Sequence, residues 1–276
     1  MSTDHPAYAL GHSEFELERL SIQARLVDPI TRRFLLEAGI VQGMRVLDVG
    51  SGAGHVAFLA ADLVGETGEV VGTDRSTAAL KVARKRAEQR SPQTVSFLEG
   101  DPAEMTFERP FDAVVGRYVL QFQPDPTTML RKVAAHVRNG GVIVFHDPYR
   151  DGARSFPSVP AYDEACELVT ETVRRLGADP SLGIKLHSTF VAAGLPPPSM
   201  RLESIIAGGA TSADHVHYEM DLVKTLLPDM ERLGIATARQ LDPDTLADRI
   251  IDELIANESV VVGRAEIGAW TQKPAL

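Results

Sequence analysis

The sequence predicts an α/β fold with a doubly wound, mainly parallel sheet. Over residues 43–150, apolar runs rich in β-branched residues alternate five times with stretches of helical composition. The first of these runs begins at Val46 and ends in an acidic residue and a glycine-rich turn that closes at Gly54. A helical stretch follows from His55. A strand, a glycine turn and a helix in this order form the nucleotide-binding start of such a sheet.

The composition is typical of an ordinary globular protein. The chain has 276 residues, of which 44% are hydrophobic and 24% charged. Its formal net charge of −10 counts against nucleic acid as a partner, because phosphate binding needs clustered basic surface. With Cys166 as the single cysteine, we expect neither a disulfide nor a cysteine-built metal site. No transmembrane run or signal peptide is visible, so we expect a cytoplasmic location and no membrane partner. We also expect a monomer or a homodimer.

Two helices are predicted ahead of the first strand. Ser13 and Glu16 have the spacing of a capping box, which predicts that a helix starts there. Asp28 and Pro29 are typical of the N-cap and first residue of a second helix, which Gly39 would end. We expect these helices to form an N-terminal cap.

The spacing of the glycines in the turn distinguishes between two classes of ligand. A dinucleotide site reads G-x-G-x-x-G and would need glycine where this chain has His55. Here the pattern is G-x-G-x-G, and Asp48 stands two residues before the first glycine. A carboxylate beside the turn suits a cationic ligand better than a diphosphate.

On these residues the turn resembles the first motif of the class I S-adenosylmethionine (AdoMet)-dependent methyltransferases. The resemblance implies a Rossmann-like, seven-stranded sheet whose last strand is antiparallel. It also implies a helical cap over residues 1–42, an AdoMet-binding core over 43–150, and a helical lid with the last strands over 151–276. The cofactor would be AdoMet and its product S-adenosylhomocysteine. The expected binding residues in the first motif are Asp48, Gly50, Ser51, Gly52 and Gly54.

The second strand, Glu69–Thr73, is followed by Asp74. Asp74 lies about 20 residues after the last glycine of the turn, where a nucleotide-binding sheet places the acid that binds a ribose diol. The alternative is that Asp74 is only the N-cap of a helix that begins near Thr77. The adjacent Arg75 is a candidate to lie flat along the adenine.

Two later motifs extend the resemblance. After a third strand, Val95–Glu99, the chain reads Gly-Asp-Pro-Ala, and the family match implies that Asp101, followed by Pro102, accepts a hydrogen bond from the adenine amino group. The alternative is an exposed turn. The fourth-strand motif begins at Phe111 and brings Arg117 to the carboxyl end of the strand, where open α/β sheets bind ligands. Arg117 would pair with the methionyl carboxylate, with an acidic substrate, or with a structural partner.

After the fifth strand, Val142–Pro148, the regular alternation stops. A segment rich in Gly, Ser and Pro over 151–160 is typical of a linker. The remaining predicted elements are helices over 161–176 and 181–193, a strand over 199–207, helices over 214–232 and 243–257, and a final strand over 259–271. The resemblance implies that the inserted helices form a lid over the substrate.

Several side chains are candidates for a general base, which methyl transfer needs only when the acceptor must lose a proton. His146 is the first choice, because the fifth strand would place it at the ligand edge. His12 and Tyr8, in the N-terminal cap, come next. A metal is not expected, since His215 and His217 would lie far apart around a helix.

The resulting hypothesis is an AdoMet-dependent methyltransferase that acts on a small, largely apolar acceptor of the natural-product type. The acceptor atom, oxygen, nitrogen or carbon, stays open. One alternative is an AdoMet-binding protein with a non-methylating role, such as a cyclase, a decarboxylase or a binding protein. Another is a nicotinamide-dependent oxidoreductase. His55 counts against it, because a dinucleotide site would need glycine at that position.

Overall fold

The computed structural model describes residues 14–90 and 94–275, and side chains from residue 25 onward. The helices are α1 Glu14–Glu37, α2 His55–Val64, α3 Thr77–Ala87, α4 Pro126–Ala135, α5 Pro160–Arg175, α6 Leu182–Ala192, α7 Ala213–Arg232, α8 Ala238–Leu241 and α9 Leu246–Ala256. The strands are β1 Arg45–Val49, β2 Glu69–Asp74, β3 Val95–Glu99, β4 Phe111–Arg117, β5 Val137–Tyr149, β6 Arg154–Phe156, β7 Ser199–Gly208 and β8 Val260–Gln272. Most predicted elements are confirmed to within a few residues.

The strands form one sheet in the order β3-β2-β1-β4-β5-β8-β6, and β7 also pairs with β8. The pairs β1–β2, β1–β4, β2–β3 and β4–β5 are parallel, whereas β6 and β8 are antiparallel. The doubly wound α/β class is therefore confirmed. The expected strand number of seven was wrong, because the sheet has eight strands in the described part of the chain. The predicted linker contains β6, whose three residues are too few to show a periodic pattern.

Helix α1 is continuous, so the predicted break at Pro29 was wrong. Pro29 costs the helix one hydrogen bond, but its ring lies on the exposed side and the apolar residues around it stay buried. Asp28 does not serve as an N-cap, since its carboxylate pairs with Arg117 and His55. Ser13 of the predicted capping box lies outside the described residues.

Strand β5 starts five residues earlier than expected. Val137, the first residue of β5, pairs with Phe111 of β4. The register between β4 and β5 then shifts before Ala113 pairs with Val142. Gly140, with φ of 72°, gives the chain the freedom for this irregularity.

The chain divides into two compact units. The first unit contains the described residues up to Leu26 together with Tyr149–Ser181 and Glu203–Ala265. Its apolar core includes Tyr162 of α5, Val216 of α7 and Ile250 of α9. Whereas the sequence predicts three contiguous segments, this unit is assembled from separate stretches of the chain.

The second unit contains Val27–Pro148, Leu182–Leu202 and the described residues from Glu266. Its core packs α2 and α3 against the parallel strands, and Val46, Phe58 and Leu80 are among its members. This unit carries the glycine turn, the carboxyl ends of β1, β2 and β4, and β5 as far as Pro148. No helix in the described part of the chain is long and apolar enough to cross a membrane.

Candidate active site

The turn between β1 and α2 has a backbone that glycine alone accommodates easily. Gly50, Gly52 and Gly54 all have positive φ, at 64°, 51° and 88°. A Cβ at Gly50 would lie 2.7 Å from Val119, and one at Gly54 would lie 2.9 Å from Phe97. The backbone is therefore left-handed at all three glycines and tightly packed at Gly50 and Gly54, whereas the space beside Gly52 is open.

The start of α2 is available to a ligand. Gly54 is the N-cap and supplies no side-chain hydrogen bond, and the first turn contains no acidic residue. The backbone N–H groups at a helix start have no partner within the helix, and they attract electron-rich groups. The Ser51 hydroxyl in the same turn is buried and lacks a hydrogen-bond partner among the described residues.

Asp48 lies at the carboxyl end of β1 and is 1% exposed. Neither carboxylate oxygen has a hydrogen-bond partner among the described residues. Burial raises the pKa of Asp48 to about 8, although the charge of Arg117 and the backbone N–H of Ala57 oppose the rise and the charge of Asp74 adds to it. A buried carboxyl group that makes no close hydrogen bond is suited to pairing with a cationic ligand.

Asp74 connects the glycine turn to β2. Its Oδ2 accepts a hydrogen bond from the Gly52 N–H at 2.8 Å, and its Oδ1 accepts one from the Ser76 N–H at 2.7 Å. Ser76 is the N-cap of α3, so Asp74 is not. Each carboxylate oxygen keeps acceptor capacity for a further donor such as a ribose hydroxyl.

The predicted adenine-binding residues lie together. Arg75 forms an ion pair with Asp101, whose Oδ1 also accepts from the Ala103 N–H at 2.9 Å. Pro102 is buried, and its carbonyl oxygen contacts His136 Nε2 at 2.7 Å. The Asp101 turn is thus held in place by its own hydrogen bonds, and half of the Arg75 side chain is exposed.

Arg117 is buried at the end of β4 and has partners on α1. Its Nη1 donates to Asp28 Oδ1 at 2.7 Å and to Thr31 Oγ1 at 2.9 Å. Burial lowers the pKa of Arg117, but the charge of Asp28, its hydrogen bond, and the charges of Tyr118 and Glu266 together outweigh burial, so the pKa lies above its ordinary value. Of the alternatives predicted for Arg117, these contacts show the structural ion pair.

His146, the first-choice base, is 2% exposed and has partners on both ring nitrogens. Nδ1 lies 3.2 Å from Thr31 Oγ1, and Nε2 lies 2.8 Å from Glu266 Oε2. The Thr31 hydroxyl donates to the Val27 carbonyl, so Nδ1 is assigned as the donor to Thr31. One proton then lies between Nε2 and Glu266.

Tyr118 completes this group of side chains. Its hydroxyl donates to Glu266 Oε2 at 2.8 Å, and its ring meets the His146 ring edge-on at 5.3 Å between centroids. Tyr118 is half-buried and has a φ of 59°, which is strained for a residue with a side chain. Tyr118 is therefore the most accessible member of a buried acid–base network.

The sequence reasoning missed Glu266, Tyr118, Thr31 and Asp28. Glu266 had one visible signal, since it is an acidic residue within an apolar final strand. His12 and Tyr8, the other predicted catalytic residues, lie outside the described part of the chain. In the described ranges, no group of three or more His, Cys, Asp or Glu side chains is placed to bind a metal ion.

Comparisons with known proteins identify the family of the domain that carries this site. Residues 40–189 match the family model of a methyltransferase domain. Aklanonic acid methyltransferase DauC of Streptomyces sp. (strain C5) is 35% identical over 154 residues, which cover 55% of this chain and 68% of that protein. The 2-phytyl-1,4-naphtoquinone methyltransferase of Synechococcus elongatus is 38% identical over 122 residues, which cover 42% of this chain and 52% of that protein.

A solved structure shows the same fold. Phosphoethanolamine N-methyltransferase 2 of Haemonchus contortus, in complex with S-adenosylhomocysteine, matches with a TM-score of 0.53 at 19% identity. The match covers 85% of this chain and 50% of that one. The family model spans more than half of the chain and includes the glycine turn, Asp48 and Asp74. The chain belongs to the class I AdoMet-dependent methyltransferases.

Proposed function

We propose that this protein transfers the methyl group of AdoMet to a small, largely apolar acceptor of the natural-product type. The observation that carries the proposal is the glycine turn with two carboxylates, Asp48 and Asp74, at its edge. The two relatives above are named for small organic acceptors, aklanonic acid and a phytyl naphthoquinone. Their names support the acceptor class, and the acceptor atom stays open.

The residues of the second unit fit AdoMet as a bound group. Asp48 has a buried, unpartnered carboxyl group for the cationic methionyl end, and Asp74 has acceptor capacity for the ribose. Asp101 and Arg75 lie together as candidates for the adenine. When bound, AdoMet supplies a methyl group on a positively charged sulfur, and the chain's own task is to align the acceptor and exclude water.

For an acceptor that must lose a proton, we propose that the network of Tyr118, Glu266 and His146 removes it. Tyr118 is the half-buried member, so its hydroxyl would contact the acceptor. As it takes the acceptor proton, Tyr118 passes its own proton to Glu266 Oε2, to which it already donates. The proton that Glu266 and His146 Nε2 already share at 2.8 Å moves onto Nε2, so that Glu266 can hold the added proton.

Replacing His146 tests this network. His146→Asn is expected to lower kcat by about 10²–10⁴-fold for an acceptor that loses a proton, with the dissociation constant of AdoMet nearly unchanged. Tyr118→Phe should also lower kcat. His187→Asn is the control, because His187 is exposed on α6 and should keep the wild-type rate. A wild-type rate in His146→Asn would show that His146 takes no part in catalysis.

The proposed function itself is tested by a methyl-transfer screen over phenols, quinols, indoles, amines and carboxylic acids. Release of S-adenosylhomocysteine that depends on the acceptor, with one methyl group added to it by mass spectrometry, would support the proposal. AdoMet binding without turnover on any acceptor would favour the non-methylating alternative. The cytoplasmic location and the monomeric or homodimeric state stay predictions from the sequence.

A further inference from the structure

Thr31 of α1 lies between the guanidinium of Arg117 and the ring of His146. Thr31 is 2% exposed, and its hydroxyl has three polar neighbours. The Oγ1 atom lies 3.1 Å from the Val27 carbonyl oxygen, 2.9 Å from Arg117 Nη1 and 3.2 Å from His146 Nδ1. All four residues belong to the second unit. One buried hydroxyl therefore serves three groups.

The three contacts of this hydroxyl can be satisfied together in one way. A hydroxyl has one proton to donate and two lone pairs. A guanidinium can only donate, so Arg117 takes one lone pair, and a carbonyl oxygen can only accept, so the proton points to Val27. The second lone pair faces His146 Nδ1, which then has to carry a proton. The contacts of Thr31 thus select the protonated form of Nδ1.

The partners of the hydroxyl are themselves held in place. Arg117 Nη1 also donates to Asp28 Oδ1 at 2.7 Å, and the Arg117 side chain is 5% exposed. The ring of Phe34 meets the His146 ring edge-on at 4.9 Å between centroids. Close packing on the ring opposes the rotation that would exchange its two nitrogens. The geometry around Thr31 is therefore fixed from both sides.

The state of Nδ1 decides what the other ring nitrogen can do. In a neutral imidazole one nitrogen carries the proton and the other has a lone pair. With the proton on Nδ1, the lone pair of His146 lies on Nε2, 2.8 Å from Glu266 Oε2. The Tyr118 hydroxyl donates to the same carboxylate oxygen at 2.8 Å. Nε2 is then the nitrogen that can take a proton from Glu266, and an imidazole is a stronger base than a carboxylate.

We propose that Thr31 is a positioning residue whose hydroxyl keeps a proton on His146 Nδ1, so that Nε2 stays the nitrogen that takes a proton from Glu266. The inference rests on the proposed function for its catalytic consequence, since the network acts on an acceptor that loses a proton. In Thr31→Val the Nδ1–H group would be buried without this acceptor, so we expect the proton on Nε2 instead. The proton from Tyr118 then has to stay on Glu266, the weaker base.

Nitrogen-15 NMR of the protein with labelled histidine tests the assignment without any substrate. The signals of His146 are those missing from the spectrum of His146→Asn. At pH 7 we expect a protonated Nδ1 in the wild type and in Thr31→Ser, and a bare Nδ1 in Thr31→Val. Thr189→Val is the matched control, because Thr189 is also buried on a helix of the second unit and donates to the carbonyl four residues earlier, that of Lys185 at 3.0 Å.

The kinetic test uses an acceptor that loses a proton. Thr31→Val should lower kcat about tenfold or more, and Thr31→Ser should restore most of the loss because it keeps the hydroxyl. Thr189→Val should keep the wild-type kcat. An unchanged dissociation constant for S-adenosylhomocysteine in each variant would verify that it folds.

A bare Nδ1 in the wild type would overturn the inference, and this result needs no variant of Thr31. A Nδ1 that stays protonated in Thr31→Val would also overturn it. So would a wild-type kcat in a Thr31→Val protein whose Nδ1 has lost the proton. If no acceptor is methylated, the proposed function fails, and the spectra still decide whether Thr31 sets the state of Nδ1.

Discussion

At the scale of single residues, the ionised carboxylate of Asp48 is suited to bind a cation but destabilises the folded protein, because it is buried. Its pKa of about 8 in the folded protein lies above the value of 3.8 for an ordinary Asp. The folded state therefore holds the proton more tightly than the unfolded state. The contribution of Asp48 to stability is full below pH 3.8 and is lost as the pH rises toward about 8.

Asp48→Asn removes this titration and keeps the shape of the side chain. Above pH 8 the variant should be more stable than wild type by about 1–3 kcal/mol, because no buried charge is left without a partner. It should also bind AdoMet more weakly and lack the rise of affinity with pH that we expect of wild type up to about pH 8. Guanidinium unfolding and calorimetry over pH 6–9 measure both effects. A variant less stable than wild type at pH 9 would contradict this account of Asp48.

Asp74 is predicted to contribute directly to cofactor affinity. Asp74→Ala should weaken AdoMet binding by about 1–3 kcal/mol, because ribose hydroxyls and the Gly52 N–H lose their acceptor. Asp112→Ala is a matched control, since Asp112 also accepts a backbone N–H, that of Arg45 at 2.7 Å, but at the opposite end of β4 from Arg117. Equal AdoMet affinity in Asp74→Ala and Asp112→Ala would show that Asp74 does not bind the ribose.

At the scale of elements, the ion pair between Asp28 and Arg117 attaches α1 to β4. Burial raises the pKa of Asp28, but the hydrogen bond with His55 and the charge of Arg117 outweigh burial and hold the pKa below its ordinary value. The stability that Asp28 contributes is therefore present above about pH 4 and is lost as the pH falls. The same pair explains why α1 continues through Pro29, where the sequence predicts an N-cap.

Asp28→Asn should destabilise the protein by about 2–4 kcal/mol at pH 7, because Arg117 is left buried without its carboxylate. The expected loss is below that of a fully buried pair, since Asp28 is 22% exposed. The difference from wild type should shrink as the pH falls below 4. Asp62→Asn is the control, because its pair with Arg90 is largely exposed and should contribute little. Equal stability of Asp28→Asn and wild type at pH 7 would show that the pair is dispensable.

At the scale of the whole molecule, the parallel core was predictable because its patterns are local. Apolar runs define β1, β2, β4 and the buried part of β5, and glycine spacing defines the turn after β1. Asp74 could be placed because its distance along the chain from Gly54 has a geometric meaning in a nucleotide-binding sheet. The strand β6 could not be predicted, because three residues show no period.

Partners that come from distant parts of the chain could not be predicted. Glu266 contacts His146 across 120 positions, and Asp28 contacts Arg117 across 89. Nothing in the sequence near His146 indicates which carboxylate will meet it, because the pairing depends on how β8 enters the sheet. The sequence therefore predicted the glycine turn and its two carboxylates better than the side-chain contacts of His146 and Arg117.

Calorimetric titration of the wild-type protein with AdoMet, S-adenosylhomocysteine and NADH tests the central claim most directly. The glycine turn, Asp48 and Asp74 predict saturable binding of AdoMet and S-adenosylhomocysteine and no binding of NADH. Binding of NADH without binding of AdoMet would contradict the assignment of this site to methyl transfer.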